Sequence, residues 1–146
     1  MKLRLILTLL LFGNLALAAD LCKFTPVAGP HATLVVYRYR IFVGSGRRAS
    51  IYLDDQKVCS LRNGRYLIIE VTPGKHALRS SDDKHGGVEQ DFLSNQVLFY
   101  RVHAEATGAF QFKNFWVLEP SAENRARDDL RKLRAEEGET KTLPTL

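Results

Sequence analysis

The chain has 146 residues, of which 45% are hydrophobic and 25% charged, and its 21 basic and 16 acidic side chains give a formal net charge of +5. This apolar content is normal for a globular protein, and the length predicts one domain that needs no dense set of disulfides. The modest positive charge argues against a nucleic-acid-binding protein.

The first eighteen residues have the pattern of a secretory signal peptide. A basic start at Lys2 and Arg4 precedes an apolar run from Leu5 to Phe12 and a small-residue end at Ala16-Leu17-Ala18. The apolar run is too short for a membrane span, which needs about 20 residues. We expect cleavage after Ala18, with Ala19 as the alternative. Removing two of the 21 basic residues then leaves 19 against 16 acidic ones, a net charge of about +3.

Two cysteines follow the signal segment. Lipoprotein anchoring at Cys22 is not expected, because Asp20 and Leu21 occupy the places where a lipoprotein signal has small residues. In an oxidising compartment an even pair favours a disulfide between Cys22 and Cys59, and the alternative is a buried Cys59 with Cys22 unpaired. We therefore expect an exported protein, periplasmic or extracellular and at most peripheral to the envelope, with no transmembrane segment after cleavage.

An extended segment over residues 19–31 is predicted to lead into a β domain over residues 32–118. The run from Ala32 to Tyr39 is rich in β-branched and aromatic residues and predicts a strand. Alternation places Val35, Tyr37 and Tyr39 on one face and Arg38 and Arg40 on the other, which predicts a wet, basic outer face. Phe42 to Arg48 then breaks the pattern with Gly44-Ser45-Gly46 and predicts a bent or mobile loop.

Four short strands follow at near-regular spacing, separated by turn residues. Because no segment here can hold a crossover helix, antiparallel hairpins are expected and a parallel sheet is disfavoured. Asn63-Gly64 is the strongest hairpin signal. The strands are Ala49 to Leu53, Lys57 to Leu61, Arg65 to Val71 and Lys75 to Arg79, and the turns are Asp54-Asp55-Gln56, Asn63-Gly64 and Pro73-Gly74.

The rest of the domain is predicted to hold a polar loop from Ser81 to Gly87 and three more strands, Val88 to Phe92, Val97 to Glu105 and Ala109 to Leu118. The second of these should turn Leu98, Tyr100, Val102 and Ala104 inward. In the last strand the apolar face changes from Phe110 and Phe112 to Phe115 and Val117, which predicts a bulge near Asn114. These aromatic residues and Trp116 are expected in a core rather than on a stacking platform.

Charged helix formers begin after Glu119-Pro120. Ala122, Ala126, Leu130 and Leu133 form a narrow apolar stripe at helical spacing, which predicts an amphipathic helix over residues 119–138 ended by Gly138. Residues 139–146 are expected to be a disordered tail. The predicted fold is thus a mainly β protein: an antiparallel β-sandwich of seven to eight short strands with one C-terminal helix.

The order of these segments resembles the bacterial domain of unknown function 2846 family, exported proteins with a sandwich-like domain similar to PEGA surface domains. The similar segments cover most of Ala32 to Val117, and they are Val35 to Arg38, Val43 to Ser45, Ile51 to Val58, Leu61 to Tyr66 and Val71 to His76. This sequence departs from the family at Asp54-Asp55, where similar sequences often have Asp-Gly, and in lacking a lipoprotein signal. The resemblance implies a fold and an envelope location, and no reaction.

We predict no catalytic, cofactor or metal site. The most tempting catalytic set, Ser80, Ser81, Asp82, Asp83 and His85, lies in one short loop, whereas the members of a catalytic triad usually lie on separate elements. The histidines at positions 31, 76, 85 and 103 lack the spacing of paired metal ligands, and His103 should face the same side of its strand as Phe99 and Arg101.

Six arginines gather around the first strand, the glycine loop and the Asn63-Gly64 turn. They suggest a patch for an anionic surface or an acidic envelope protein, since a guanidinium pairs with phosphate or carboxylate at two points. The alternative is a solvated face whose arginines pair with Asp54, Asp55 and Glu70. The six are Arg38, Arg40, Arg47, Arg48, Arg62 and Arg65.

The sequence therefore favours a non-enzymatic envelope domain that acts as a binding or scaffold module, with the Arg47-Arg48 loop as its contact. A second hypothesis is a binding protein for a small anionic or glycan ligand, with a pocket lined by Arg47, Arg62, Tyr66 and His76. A third is an enzyme, which would need perturbed ionisable groups converging in a cleft.

Overall fold

A computed structural model of the chain describes residues 22, 25–42, 46–81, 86–106 and 114–136. The described residues form nine strands and one helix: β1 (Ala32–Arg38), β2 (Ala49–Leu53), β3 (Gln56–Leu61), β4 (Arg65–Val71), β5 (Gly74–Ser80), β6 (Val88–Phe92), β7 (Val97–Ala106), β8 (Asn114–Pro120), α1 (Glu123–Leu130) and β9 (Arg134–Ala135). The predicted signal peptide, the predicted tail and the segments 82–85 and 107–113 lie outside the described residues.

The strands form two sheets that pack as a sandwich, with α1 as the C-terminal helix, which confirms the predicted fold class. One sheet has the order β8-β7-β1-β4-β9 and the other has the order β3-β2-β5-β6. The four-stranded sheet is antiparallel throughout. In the five-stranded sheet β1 pairs with β7 in parallel, and β4 pairs with β9 in parallel, so the prediction of a wholly antiparallel sandwich was wrong at these two pairs.

The parallel pairing of β1 with β7 arises because the chain repeatedly crosses to the other sheet between these two strands. Of the three predicted hairpins, only the one at Asp54-Asp55 is present, between β2 and β3, and both of these residues have positive φ (49° and 62°). The turns at Asn63-Gly64 and Pro73-Gly74 are corners that carry the chain from one sheet to the other, since β3 and β5 lie opposite β4. At the first corner only Gly64 has positive φ, whereas a type I′ hairpin turn needs it at both central residues.

Strand β1 is buried on both faces, which corrects the prediction of a wet, basic outer face. Leu34 and Val36 point into the core between the sheets, and Val35 and Tyr37 pack beneath α1 with Ile68 and Phe99. A strand in the middle of a sheet that is covered on one side by a second sheet and on the other by a helix has no face left for water. The charged side chain of Arg38 is therefore carried into the interior.

Strand β7 has the predicted orientation, and β8 does not. Tyr100 and Val102 are buried between the sheets, and Leu98 and Ala104 pack against the same core. In β8 it is Trp116 and Leu118 that are buried, while Val117 is half-buried, so the predicted inward position of Val117 was wrong. The register of β8 with β7 runs without a shift from Asn114 to Pro120, and the strand segment predicted before Asn114 lies outside the described residues.

Helix α1 is shorter than predicted. Ala126 and Leu130 are buried and Leu133 packs beside them, as the apolar stripe indicated, but Ala122 precedes the helix and is exposed. The helix ends at Leu130, and the chain then forms β9, where the Glu136 N–H donates to the Tyr66 carbonyl oxygen at 2.8 Å. The backbone hydrogen bonds available at the open edge of β4 compete with continuation of the helix.

Cys22 and Cys59 form a disulfide, as predicted, and it ties the N-terminal segment to the edge strand β3. Such a bond is compatible with an oxidising compartment. Among the residues described, no helix has the length and apolar character needed to cross a bilayer.

Candidate functional site

Arg38 anchors one end of the sandwich from the inside. Its side chain is 0% exposed, and its guanidinium carbon lies 4.0 Å from the centroid of the Trp116 ring. One guanidinium nitrogen donates to the carbonyl oxygen of Arg47 at 2.5 Å, and the carbonyl oxygen of Leu61 lies 3.5 Å from it. Burial lowers the pKa of Arg38 to about 10, which still leaves the group charged at neutral pH. The buried cation thus holds the backbone of the loop that follows β1.

That loop exposes an aromatic and basic surface. Phe42 is 95% exposed and Tyr39 is 40% exposed, which makes them two of the large apolar side chains most open to solvent among the residues described. Arg40, Arg47 and Arg48 of the same loop are exposed as well. We define the docking loop as residues 39–42 and 46–48.

The base of the docking loop is fixed by the corner at Asn63-Gly64. The Asn63 amide oxygen accepts from the Ile41 N–H at 3.1 Å, and its amide nitrogen donates to the Ile41 carbonyl oxygen at 2.7 Å. A Cβ at Gly64 would lie 3.5 Å from the Cβ of Arg40, so the Arg40 stem lies directly over this residue. The backbone is therefore held by hydrogen bonds on both sides of the loop, at Ile41 and at Arg47.

The six predicted patch arginines are not brought together as one surface. Arg40, Arg47 and Arg48 belong to the docking loop, whereas Arg38 lies in the interior and cannot contact a partner. Arg62 pairs with the buried Glu136, with 2.6 Å between Nε and Oε1. Arg65 donates to the Ala135 carbonyl oxygen at 2.9 Å. Arg62 and Arg65 thus hold β9 on the sheet, a role that the sequence pattern did not indicate.

The pocket predicted from Arg47, Arg62, Tyr66 and His76 is not formed. Tyr66 lies at the start of β4, and His76 contacts Thr72, which follows the end of the same strand. The residues therefore lie at opposite ends of β4, and Arg62 is directed to Glu136.

His76 instead fastens the β2–β3 turn. Its Nδ1 lies 2.6 Å from Asp54 Oδ2, and its Nε2 lies 2.9 Å from the Thr72 carbonyl oxygen. The Asp54 carboxylate also accepts from the Ala77 N–H at 3.0 Å. The hydrogen bond from His76 lowers the pKa of Asp54. His76 and Asp54 line a cleft of about 370 Å³. Because both ring nitrogens of His76 face acceptors, the two side chains serve to link the β2–β3 turn to the β4–β5 turn.

The remaining sequence candidates are scattered. Ser80 is buried and donates to the Trp116 carbonyl oxygen, and Ser81 accepts from the Ser50 N–H, while Asp82, Asp83 and His85 lie outside the described residues. His31 contacts Gly29 and Glu70, and it lies at the opposite end of β1 from Arg38. His103 is about one third exposed on the face predicted for it. Within the part of the chain that the structure describes, no three His, Cys, Asp or Glu side chains are grouped to hold a metal ion.

The residues that sequence reasoning missed are Tyr39 and Phe42. The sequence pattern extends the strand to Tyr39, but β1 ends one residue earlier, and the pattern assigns Phe42 only to the start of the glycine loop. An aromatic residue between an arginine and a glycine-rich turn was the available signal. No protein-family model matches the chain, and no curated protein matches it either. The resemblance to the domain of unknown function 2846 family therefore stays a prediction.

Proposed function

We propose that this protein is a non-enzymatic, exported envelope domain whose docking loop attaches it to an anionic phospholipid surface. The observation that carries the proposal is the 95% exposure of Phe42 in a loop whose Arg40 and Arg48 are also exposed. A large apolar side chain in water is unfavourable, and exposed basic side chains on the same loop favour a negatively charged surface as the one that covers it.

The two kinds of side chain act on different parts of a bilayer. Burial of one Phe side chain contributes about 2 kcal/mol. Each arginine near an anionic headgroup layer adds about 1 kcal/mol, and its planar fork can hold a phosphate at two points. Neither contribution alone is enough for attachment to the membrane. Insertion of an apolar side chain together with basic side chains gives reversible attachment.

The rigid base of the loop supports this function. Arg38 holds the carbonyl of Arg47, and Asn63 holds both backbone groups of Ile41. Less conformational freedom is then lost when the loop meets a surface, which raises the affinity without any added contact. The Cys22–Cys59 disulfide supports the exported part of the proposal, because such bonds persist in oxidising compartments.

Co-sedimentation with vesicles tests the proposal. The full exported chain should bind vesicles of phosphatidylcholine with phosphatidylglycerol, should bind pure phosphatidylcholine weakly, and should be released by salt. Phe42→Ala and the double variant Arg40→Gln, Arg48→Gln should each weaken binding by about tenfold or more.

The matched controls lie at the other end of β1. Leu93, 61% exposed, and Lys75 are outside the docking loop, so Leu93→Ala and Lys75→Gln should bind like the wild type. Equal binding to both kinds of vesicle, or equal losses in the loop and control variants, would overturn the proposal. Capture of an acidic protein segment without vesicle binding would assign the loop to a protein partner instead.

A further inference from the structure

A cleft of about 240 Å³ opens beside the docking loop, between the outer face of the five-stranded sheet and α1. Tyr39 and Ile41 form the wall shared with the loop. The other walls come from β7 and from one side of α1, and they are Arg101, Val102, His103, Arg125 and Asp129.

Three nitrogen-bearing side chains converge on this cleft, and two of them have unused donors. The Arg125 guanidinium makes no hydrogen bond and no ion pair within 4 Å in the described part of the chain, although its charge contributes to lowering the pKa of Glu119. The His103 ring also makes no hydrogen bond there, since its nearest carboxylate oxygens, on Glu105 and Glu119, are both 3.8 Å away. Arg101 is the third, and it donates to Glu119 Oε2 at 2.7 Å through one nitrogen.

The carboxylates around the cleft already have partners. The bond from Arg101 lowers the pKa of Glu119, which therefore stays ionised and neutralises Arg101 in part. Asp129 accepts from the Tyr37 hydroxyl at 3.2 Å. Within the described part of the chain, the Arg125 guanidinium and the buried His103 Nδ1 remain without a hydrogen-bond partner.

We propose that this cleft binds a single phosphate group. Its volume lies below the range of about 300–1,000 Å³ typical of pockets for larger ligands, so it suits one small charged group. A phosphate offers three acceptor oxygens to donors on two rigid elements, β7 and α1, whereas a carboxylate offers two. Tyr39 links the cleft to the docking loop, so a lipid headgroup can reach it, as can a soluble phosphate ester. The lipid source rests on the proposed function, and the phosphate site itself does not.

Titration of the full exported chain with inorganic phosphate at constant ionic strength tests the site. In two-dimensional NMR spectra the amides of Arg101, His103 and Arg125 should shift in a saturable way, and acetate at the same concentration should cause smaller shifts. Arg125→Gln should weaken the phosphate affinity by about tenfold, the effect of losing one charge-assisted hydrogen bond. Arg131→Gln is the matched control, because Arg131 follows the same helix, is largely exposed and pairs with Asp128.

Shifts that do not saturate, or that are lost equally in Arg125→Gln and Arg131→Gln, would overturn the proposal. Two probes distinguish a soluble phosphate ester from a lipid headgroup as the ligand. They are glycerol phosphate in solution and phosphatidylcholine vesicles that carry phosphatidic acid. If Arg125→Gln weakens binding to the vesicles, the ligand is a headgroup, and if it weakens only glycerol phosphate binding, the ligand is soluble. Loss of vesicle binding in Phe42→Ala concerns the docking loop alone, so the two proposals fail independently.

Discussion

The guanidinium of Arg38 lies 4.0 Å from the centre of the Trp116 ring, and both side chains are wholly buried between the sheets. A planar cation stacked on an indole loses less hydration than an ammonium group, and it retains in-plane donors for backbone carbonyls. The pair therefore joins the central strand β1, the edge strand β8 and the docking loop.

Replacement of Arg38 should destabilise the protein severely. Arg38→Ala removes the packing on Trp116 and the donor to Arg47, and we expect a loss of about 3 kcal/mol in the free energy of unfolding. Arg38→Lys keeps the charge but not the planar fork, and it should lose a large part of the same amount. Urea unfolding measures the stability of both Arg38 variants. Arg48→Ala, at an exposed position, is the control, and its stability should lie within about 0.5 kcal/mol of the wild type. A lysine variant as stable as the wild type would show that stacking is unimportant.

Reduction of the disulfide should also lower stability. Cys22 and Cys59 are 37 residues apart, and closing a loop of this length stabilises the folded state by about 3–4 kcal/mol in the chain-entropy model. Unfolding with and without reductant measures the difference. Mass spectrometry of exported material should find no free thiol before reduction, and two free thiols would contradict the bond.

The contact between Asp54 and His76 predicts a pH dependence. The folded pKa of Asp54 lies below its unfolded value, so its contribution is present above about pH 4 and is lost as the pH falls through the folded pKa. Asp54→Asn should therefore destabilise at pH 7 by up to about 1 kcal/mol, as for other exposed pairs, and should flatten the acid limb of the stability curve. Asp91→Asn, an exposed carboxylate on β6, is the charge-matched control and should leave that limb unchanged.

Glu136 should be essential for keeping β9 on the sheet. Its carboxylate accepts from the Arg62 backbone N–H at 2.7 Å and from Arg62 Nε at 2.6 Å, and it is 5% exposed. Glu136→Ala leaves a half-buried guanidinium facing an apolar gap, and we expect a loss of about 3 kcal/mol. Hydrogen exchange at the backbone amide of residue 136, compared between the wild type and the variant, reports the detachment of β9 directly. Unchanged protection of that amide would show that the backbone pairing with Tyr66 is sufficient.

Gly87 should tolerate no side chain. It has φ +89°, and a Cβ there would lie 2.6 Å from the Cβ of Arg79 and 2.7 Å from the Leu78 carbonyl oxygen. Gly87→Ala should cost about 2 kcal/mol or more through backbone displacement. Gly86→Ala is a close control, because Gly86 also has positive φ but has nothing within 4 Å, so only the conformational cost of about 1 kcal/mol applies. Equal melting temperatures for the two variants would contradict the predicted clash.

Local patterns in the sequence were sufficient for most of the strands, although β9 was predicted as part of the helix. Ala49–Leu53, Arg65–Val71 and Val88–Phe92 have the predicted bounds, and β7 has the predicted inward face, because alternation and turn residues act over a few positions. The apolar stripe of α1 was also found, although its length was not. The pairing of Cys22 with Cys59 was predicted from there being two cysteines after a segment that predicts export.

Strand partners and the candidate site depended on contacts between distant segments. The turn at Asn63-Gly64 has a hairpin sequence, yet it joins two sheets. Strand β4 pairs with β1 along its whole length and packs Ile68 beneath α1, whereas β3 pairs in the other sheet. The same placement buries both faces of β1, turns Arg38 from a surface residue into a core residue, and leaves Arg62 and Arg65 bound to β9. Periodicity in a sequence reports that a strand has two faces, but only the packed layers determine which face meets water.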